Sequence, residues 1–161
     1  MKKIYLLCFI LFLSSSQLIS QIKTDILIIG GGASGTMAAI QAARMGVKSV
    51  VVEETVWLGG MLTSAGVSAI DGNHKMPSGL WGEFREKLYQ HYGGPEAVET
   101  GWVSNTLFEP SIGNKILQEM VANEANIQVL FETHWANPRK TANGWIIDLK
   151  TSNGKSTKVE A

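Results

Sequence analysis

The sequence predicts an α/β fold built around a parallel sheet, and three observations predict it. The short stretch 25–29, Asp25 followed by four apolar residues, ends in three glycines. A stretch rich in small residues follows over 36–45 and is closed by Gly46. A second stretch, 47–53, comes directly after and contains the apolar run Val50, Val51 and Val52. Continuous apolar character over four residues suits a strand buried on both faces of a parallel sheet. Gly46, just past the small-residue stretch, suits the position after a helix C-cap. Residues 25–53 therefore read as strand, glycine turn, helix, strand. That is one βαβ unit, for which a right-handed crossover is expected. Helices are expected on both faces of the sheet.

The residues before this unit have a different character. Lys2 and Lys3 precede ten apolar residues, 4–13, and then Ser14, Ser15 and Ser16. Ten is far short of the roughly 20 needed for a spanning helix. Residues 1–20 read as a secretory signal, with an uncleaved membrane anchor as the alternative. Cleavage is expected after Ser20 or nearer Ser16, which makes the chain exported, periplasmic or secreted. Cys8, the single cysteine, lies in the apolar run and would leave with it. No disulfide framework or multi-cysteine metal site is then available. Lys2 and Lys3 leave too, so 14 basic residues fall to 12 against 14 acidic, a net charge of −2. Such a balance gives no electrostatic footprint for nucleic acid or for an anionic membrane.

After the unit, residues 54–78 have weak periodicity and many turn formers. They read as a long loop with room for a short helical turn, and a loop of this length usually has a functional reason. Ser78 can cap a helix over 79–92, with Leu80, Trp81, Phe84, Leu88 and Tyr92 along one side. Glu83 and Lys87 are four apart on it and read as a solvated pair. Gly93, Gly94 and Pro95 end that helix. Pro110 suits the first turn of another, reaching about Asn123, with Ile112, Ile116, Leu117, Met120 and Val121 as its apolar stripe. Residues 127–131 read as a third buried strand. Asn143-Gly144 and Asn153-Gly154 favour tight turns. Trp145, Ile147 and Leu149 alternate with Ile146, Asp148 and Lys150, so an antiparallel meander is expected over about 133–160. The sequence then stops at Val159-Glu160-Ala161, read as mid-strand.

Gly30-x-Gly32-x-x-Gly35 carries the chemistry. This glycine spacing is weak alone, but here it follows a strand, opens a helix and sits in a βαβ unit of the right length. Gly30 allows a tight turn, Gly32 lets a diphosphate approach the backbone, and Gly35 lets helix and strand pack closely. Ala33 and Ser34 stand between them at the same helix N-terminus, whose free N–H groups favour an anion. Glu53 closes the second strand 18 residues after Gly35. A carboxylate there can accept from both ribose hydroxyls of an adenosine and would repel a 2′-phosphate, which favours FAD or NAD over NADP. The Gly59-Gly60 pair permits backbone to lie close to a flat ring or its ribityl chain.

With these motifs the chain resembles the FAD-dependent oxidoreductases of the two-dinucleotide-binding-domain, glutathione-reductase-like class, and most their exported bacterial branch. The matching stretches are ILIIGGGASGTMAAIQAARMG, VVVEE and WLGGMLTSAGV, with looser matches through SGLWGEFREKL and EPSIGNKILQEMVANEANIQVLFET. The resemblance implies a Rossmann-like FAD/NAD(P)-binding domain and FAD as cofactor. It gives Gly30, Gly32 and Gly35 the pyrophosphate and Glu53 the ribose. It puts Gly59, Gly60, Thr63 and Ser64 along the flavin and Val129 at the adenine. Family members often have a basic residue after the ribose acid; here it is Glu54, which sits at the same end of the cofactor site. The family's longer chains return after their meander with a further strand and a substrate domain. The implied reading is thus the N-terminal portion of an enzyme over 21–161, passing a hydride or two electrons from a small organic substrate to the flavin. Two other readings stand beside it: an NAD-dependent dehydrogenase, in which Gly60→Trp leaves cofactor binding intact, and a non-catalytic remnant with weak nucleotide binding. His74, His91 and His134 share no ligand spacing, so no metal site is expected, though His74 lies where a base could approach a substrate.

Overall fold

A computed structural model describes residues 20–71, 75–100 and 106–161. The strands are β1 Ser20–Lys23, β2 Ile26–Ile29, β3 Ser49–Val52, β4 Ile127–Leu130, β5 Thr133–Lys140, β6 Trp145–Thr151 and β7 Ser156–Glu160. The helices are α1 Ala33–Arg44, α2 Gly79–Tyr92 and α3 Pro110–Ala122, with short 3-10 turns at Gly60–Leu62 and Pro95–Val98. The expected leader lies outside the described residues, except that Ser20 opens β1. Among the described residues no helix is long and apolar enough to cross a membrane.

Two sheets stack. β2, β3 and β4 form a parallel sheet in that order, with Val51 opposite both Ile28 and Val129. β1, β7, β6 and β5 form the second sheet, antiparallel but for the β1–β7 pair. All four residues of β3 are buried, as its valine run requires. Val50 and Val52 point to one face and pack on Ile147, Leu149 and Val159 of the second sheet, with Ile22, Leu27 and Leu130 at the margin. The other face carries the helices: Ile40, Phe84, Leu88, Ile116, Leu117 and Met120 form one cluster against Ile127 and Val129. The α/β class and the meander stand as read. The expectation of helices on both faces is met on one face, because the meander folds back over the other and buries its valines instead. β2 lies at the margin of the parallel sheet, with Ile26 40% and Ile29 42% exposed.

Local signals differ from the structure at three points. Ser78 occupies the N-cap of α2 but makes no capping hydrogen bond. Glu83 does not pair with Lys87; it takes a two-pronged hydrogen bond from Arg44, at 2.8 and 3.0 Å. The Arg44 Nε also donates to Glu124 at 2.7 Å, so one guanidinium ties the end of α1 to α2 and to the chain beyond α3. That bond from Arg44 holds the Glu83 carboxyl below its usual range, against the effect of burial. Finally, neither Asn143 nor Asn153 is in the left-handed region, while Gly144 and Gly154 are. Both hairpin connections are therefore four residues long rather than two.

A bulge in β5, where register with β6 shifts between Ala136 and Arg139, puts Asn137 at φ 50°. Asn137 and Arg139 then both donate to Asp148. Chiefly through Arg139, they hold its carboxyl down at about 2, from 3.8. A depressed folded pKa means that this contribution is full above about pH 4 and fades as pH falls toward 2. Asp148→Asn is therefore expected to melt below the parent at pH 7, with the gap closing between pH 4 and 2. A gap that stays constant over that range in thermal melts would contradict this.

Candidate functional site

The glycine turn stands at the carboxyl ends of the parallel strands. Gly30 has φ 94° and donates to the Val52 carbonyl at 2.8 Å, so the chain leaves β2 in a conformation that favours glycine. Gly32 is the N-cap of α1; no side chain caps this helix and no acid lies in its first turn. A Cβ on Gly32 would find nothing within 4 Å, whereas one on Gly35 would stand 2.1 Å from the Gly30 carbonyl oxygen and 3.1 Å from Ile28 Cγ2. Gly32 thus opens outward and Gly35 closes the turn against β2. Ala33 and Ser34 follow Gly32 in the first turn, with Ser34 exposed. Fully buried Thr36 donates its hydroxyl to the Gly31 carbonyl at 2.8 Å and fixes the turn from below. An open backbone at the head of an uncapped helix suits an anion such as a diphosphate.

Glu53 directly follows β3 and turns toward this mouth. It is 9% exposed and accepts from the Gly31 N–H at 2.7 Å. Its other oxygen accepts from the Thr55 N–H at 2.8 Å and the Thr55 hydroxyl at 2.7 Å. A carboxylate offers about four lone-pair positions. Three are filled from within the chain, so gripping two ribose hydroxyls, one on each oxygen, requires Thr55 to swing away. Glu54 is exposed and faces His134 Nδ1 at 3.3 Å.

The Gly59-Gly60 segment packs against the glycine turn. Gly59 donates to the Gly31 carbonyl at 2.8 Å, and Gly32 and Gly59 form a short parallel bridge. A Cβ on Gly60 would stand 3.1 Å from Gly32 Cα, and one on Gly59 would meet Leu117 Cδ1 and Thr63 Cγ2, each at 2.7 Å. Gly60 is thus pressed on the first glycine turn, while Gly59 is crowded by Leu117 and Thr63. Thr63 is 1% exposed and donates its hydroxyl to the Leu58 carbonyl at 2.5 Å, so it holds the loop from inside. Ser64 is exposed, with its hydroxyl on the Gly60 carbonyl. On α3, Asn114 Oδ1 accepts from the Leu58 N–H at 2.9 Å and from Gln118, which also reaches the Val56 carbonyl. Thr36, Thr55, Asn114 and Gln118 are the residues that sequence reasoning missed. No motif marks them, and the only available signal was Thr36 directly following Gly35.

Val129 is half-buried in β4 and lines a cleft of about 290 Å³ with Leu58, Gln118 and Phe131. His74 lies outside the described residues. Among the described residues no group of three or more His, Cys, Asp or Glu could hold a metal ion.

Comparison with known proteins agrees with this geometry. The family described as FAD dependent oxidoreductase matches residues 25–161. Digeranylgeranylglycerophospholipid reductase 3 of Methanosphaera stadtmanae is 22% identical over 149 residues, covering 86% of this chain and 37% of that protein. Among solved structures, a flavoprotein/dehydrogenase from Cytophaga hutchinsonii superposes with TM-score 0.61 at 18% identity, over 86% of this chain and 37% of the other. The flavin-dependent monooxygenase PieE, solved with FAD and substrate, superposes with TM-score 0.51 at 16% identity, over 86% of this chain and 29% of the other. The chain therefore spans well under half the length of each of these proteins, and the structural likenesses establish the Rossmann-like fold. FAD is the cofactor of the matched family, and the open Gly32 at the head of uncapped α1 fits its diphosphate. On the match over 25–161, the chain belongs to the family of FAD dependent oxidoreductases.

Proposed function

We propose that this chain forms the nucleotide-holding part of an exported oxidoreductase that takes a hydride or two electrons from a small organic substrate. The observation that carries the reading is the outward-open Gly32 at the N-terminus of a helix that nothing else caps. Gly30, Gly32, Ala33, Ser34 and Gly35 would hold the diphosphate through backbone N–H groups and the helix dipole. Glu53 would hold the adenosine ribose once Thr55 releases one of its oxygens. FAD supplies the electron-accepting ring, which no side chain can provide. Thr36, Thr63 and Asn114 act on backbone, keeping the two glycine segments in contact so that the mouth is formed before ligand arrives. Preorganisation of this kind reduces what binding must spend on ordering the loop.

The test is titration of the 161-residue chain with FAD and, separately, with NAD, followed by visible absorbance and calorimetry. FAD binding that fails in Gly32→Ala is expected. A chain that binds NAD and ignores FAD would overturn the reading in favour of a dehydrogenase. Gly60→Trp no longer separates these two, because Gly60 presses on Gly32 and its enlargement would disturb the turn that both cofactors need.

A further inference from the structure

We propose that the cleft beside the first turn of α1 binds a small, mostly apolar molecule with one positively charged end. The cleft holds about 370 Å³, within the range of small-molecule sites. Its walls are Met37, Leu62, Trp81 and Phe84, and its polar groups are Ser34 and Asp71. Among the described residues no lysine or arginine lines it. Asp71 is exposed at its rim and has no hydrogen bond or ion pair among the described residues. The nearest guanidinium on α2 is engaged elsewhere: Arg85 Nη2 donates to the Met76 carbonyl at 2.9 Å, and its carbon lies 5.3 Å above the Trp81 ring. Arg85 thereby ties the wall around Met76 to α2 and sets the aromatic side of the cleft.

Charge selects the occupant. A carboxylate or phosphate would meet Asp71 with no lysine or arginine among the described residues to offset it, and the positive end of α1 that could favour it is taken by the diphosphate in the proposed function. A neutral molecule gains only the apolar walls. An amine gains the walls and the carboxylate. At an exposed rim, such a pair is worth about fivefold in affinity. The cleft shares Ala33 and Ser34 with the diphosphate mouth, so its occupant lies next to a bound dinucleotide. Its standing as a substrate rests on the proposed function; its binding does not.

Three probes of similar size test the charge rule: 2-phenylethylamine, 2-phenylethanol and phenylacetate, each titrated into the full chain and followed by saturation-transfer NMR. The amine is expected to bind about fivefold tighter than the alcohol, and phenylacetate weaker than both. Asp71→Asn, an exposed change that leaves the core untouched, should bring amine and alcohol within twofold. Phenylacetate binding as tightly as the amine, an amine preference that survives Asp71→Asn, or no saturation transfer from any probe would each overturn the proposal. FAD titration in parallel separates the two readings. Amine binding without FAD binding keeps the cleft and removes the flavin role; the reverse keeps the flavin role and removes the cleft.

Discussion

Gly35→Ala is expected to lower the melting temperature by about 5–10 °C, although alanine is the better helix former. Alanine in place of glycine inside a helix is worth about 1 kcal/mol. The new Cβ, however, would stand 2.1 Å from a backbone carbonyl oxygen that already belongs to a tight turn. Overpacking of this kind costs about 3 kcal/mol where the neighbour cannot move aside. The net loss of about 2 kcal/mol gives the stated shift for a domain of this size. Gly32→Ala is the control, because φ there is −61° and the added methyl meets nothing. It should melt with the parent yet lose FAD, since the methyl occupies the approach to the turn. Thermal circular dichroism and FAD titration of the two variants check the contrast. A Gly35→Ala protein melting at the parent's temperature would mean that the turn is looser than described.

Glu53→Gln is expected to cost about 2 kcal/mol of stability and about tenfold in FAD affinity, more than a near-isosteric change suggests. The reason is that both oxygens of Glu53 accept from backbone N–H groups, one of Gly31 and one of Thr55. A glutamine amide keeps one acceptor and turns a donor toward the other N–H. Burial makes an unpaired donor cost about 1–3 kcal/mol, and Gly31 is buried. Urea denaturation reads the loss as a lower midpoint at unchanged slope. An unchanged midpoint would show that Thr55 and Gly31 find other partners and that Glu53 is free for ligand alone.

What the residues disclosed in advance follows their physics. The βαβ unit was legible because its signals are local: four apolar residues in a row, glycines at fixed offsets, and Gly46 past the last helical turn. The stripes on α2 and α3 were legible because Phe84, Leu88, Ile116, Leu117 and Met120 repeat at helical spacing. β1 was not, since four residues of mixed character carry too little pattern, and its partner β7 lies more than 130 residues away. Nor was the covering of the parallel sheet by the meander, because Val50 and Val52 would look alike under helices or strands. The same holds within the site. Gly30, Gly32, Gly35 and Glu53 follow from what a diphosphate and a ribose demand of a backbone. Asn114 and Thr63 make tertiary hydrogen bonds to Leu58, and no spacing announces such bonds.

The bare flank of β2 has a consequence for handling the protein. A strand of four consecutive apolar residues, with its peptide groups unclaimed by any described neighbour on one side, is a template onto which another extended chain can zip. Neither proline nor lysine interrupts it. Crowding in solution will therefore be limited by this rim before it is limited by the interior, and a substitution that places charge at Ile26 or Ile29 would act as a gatekeeper.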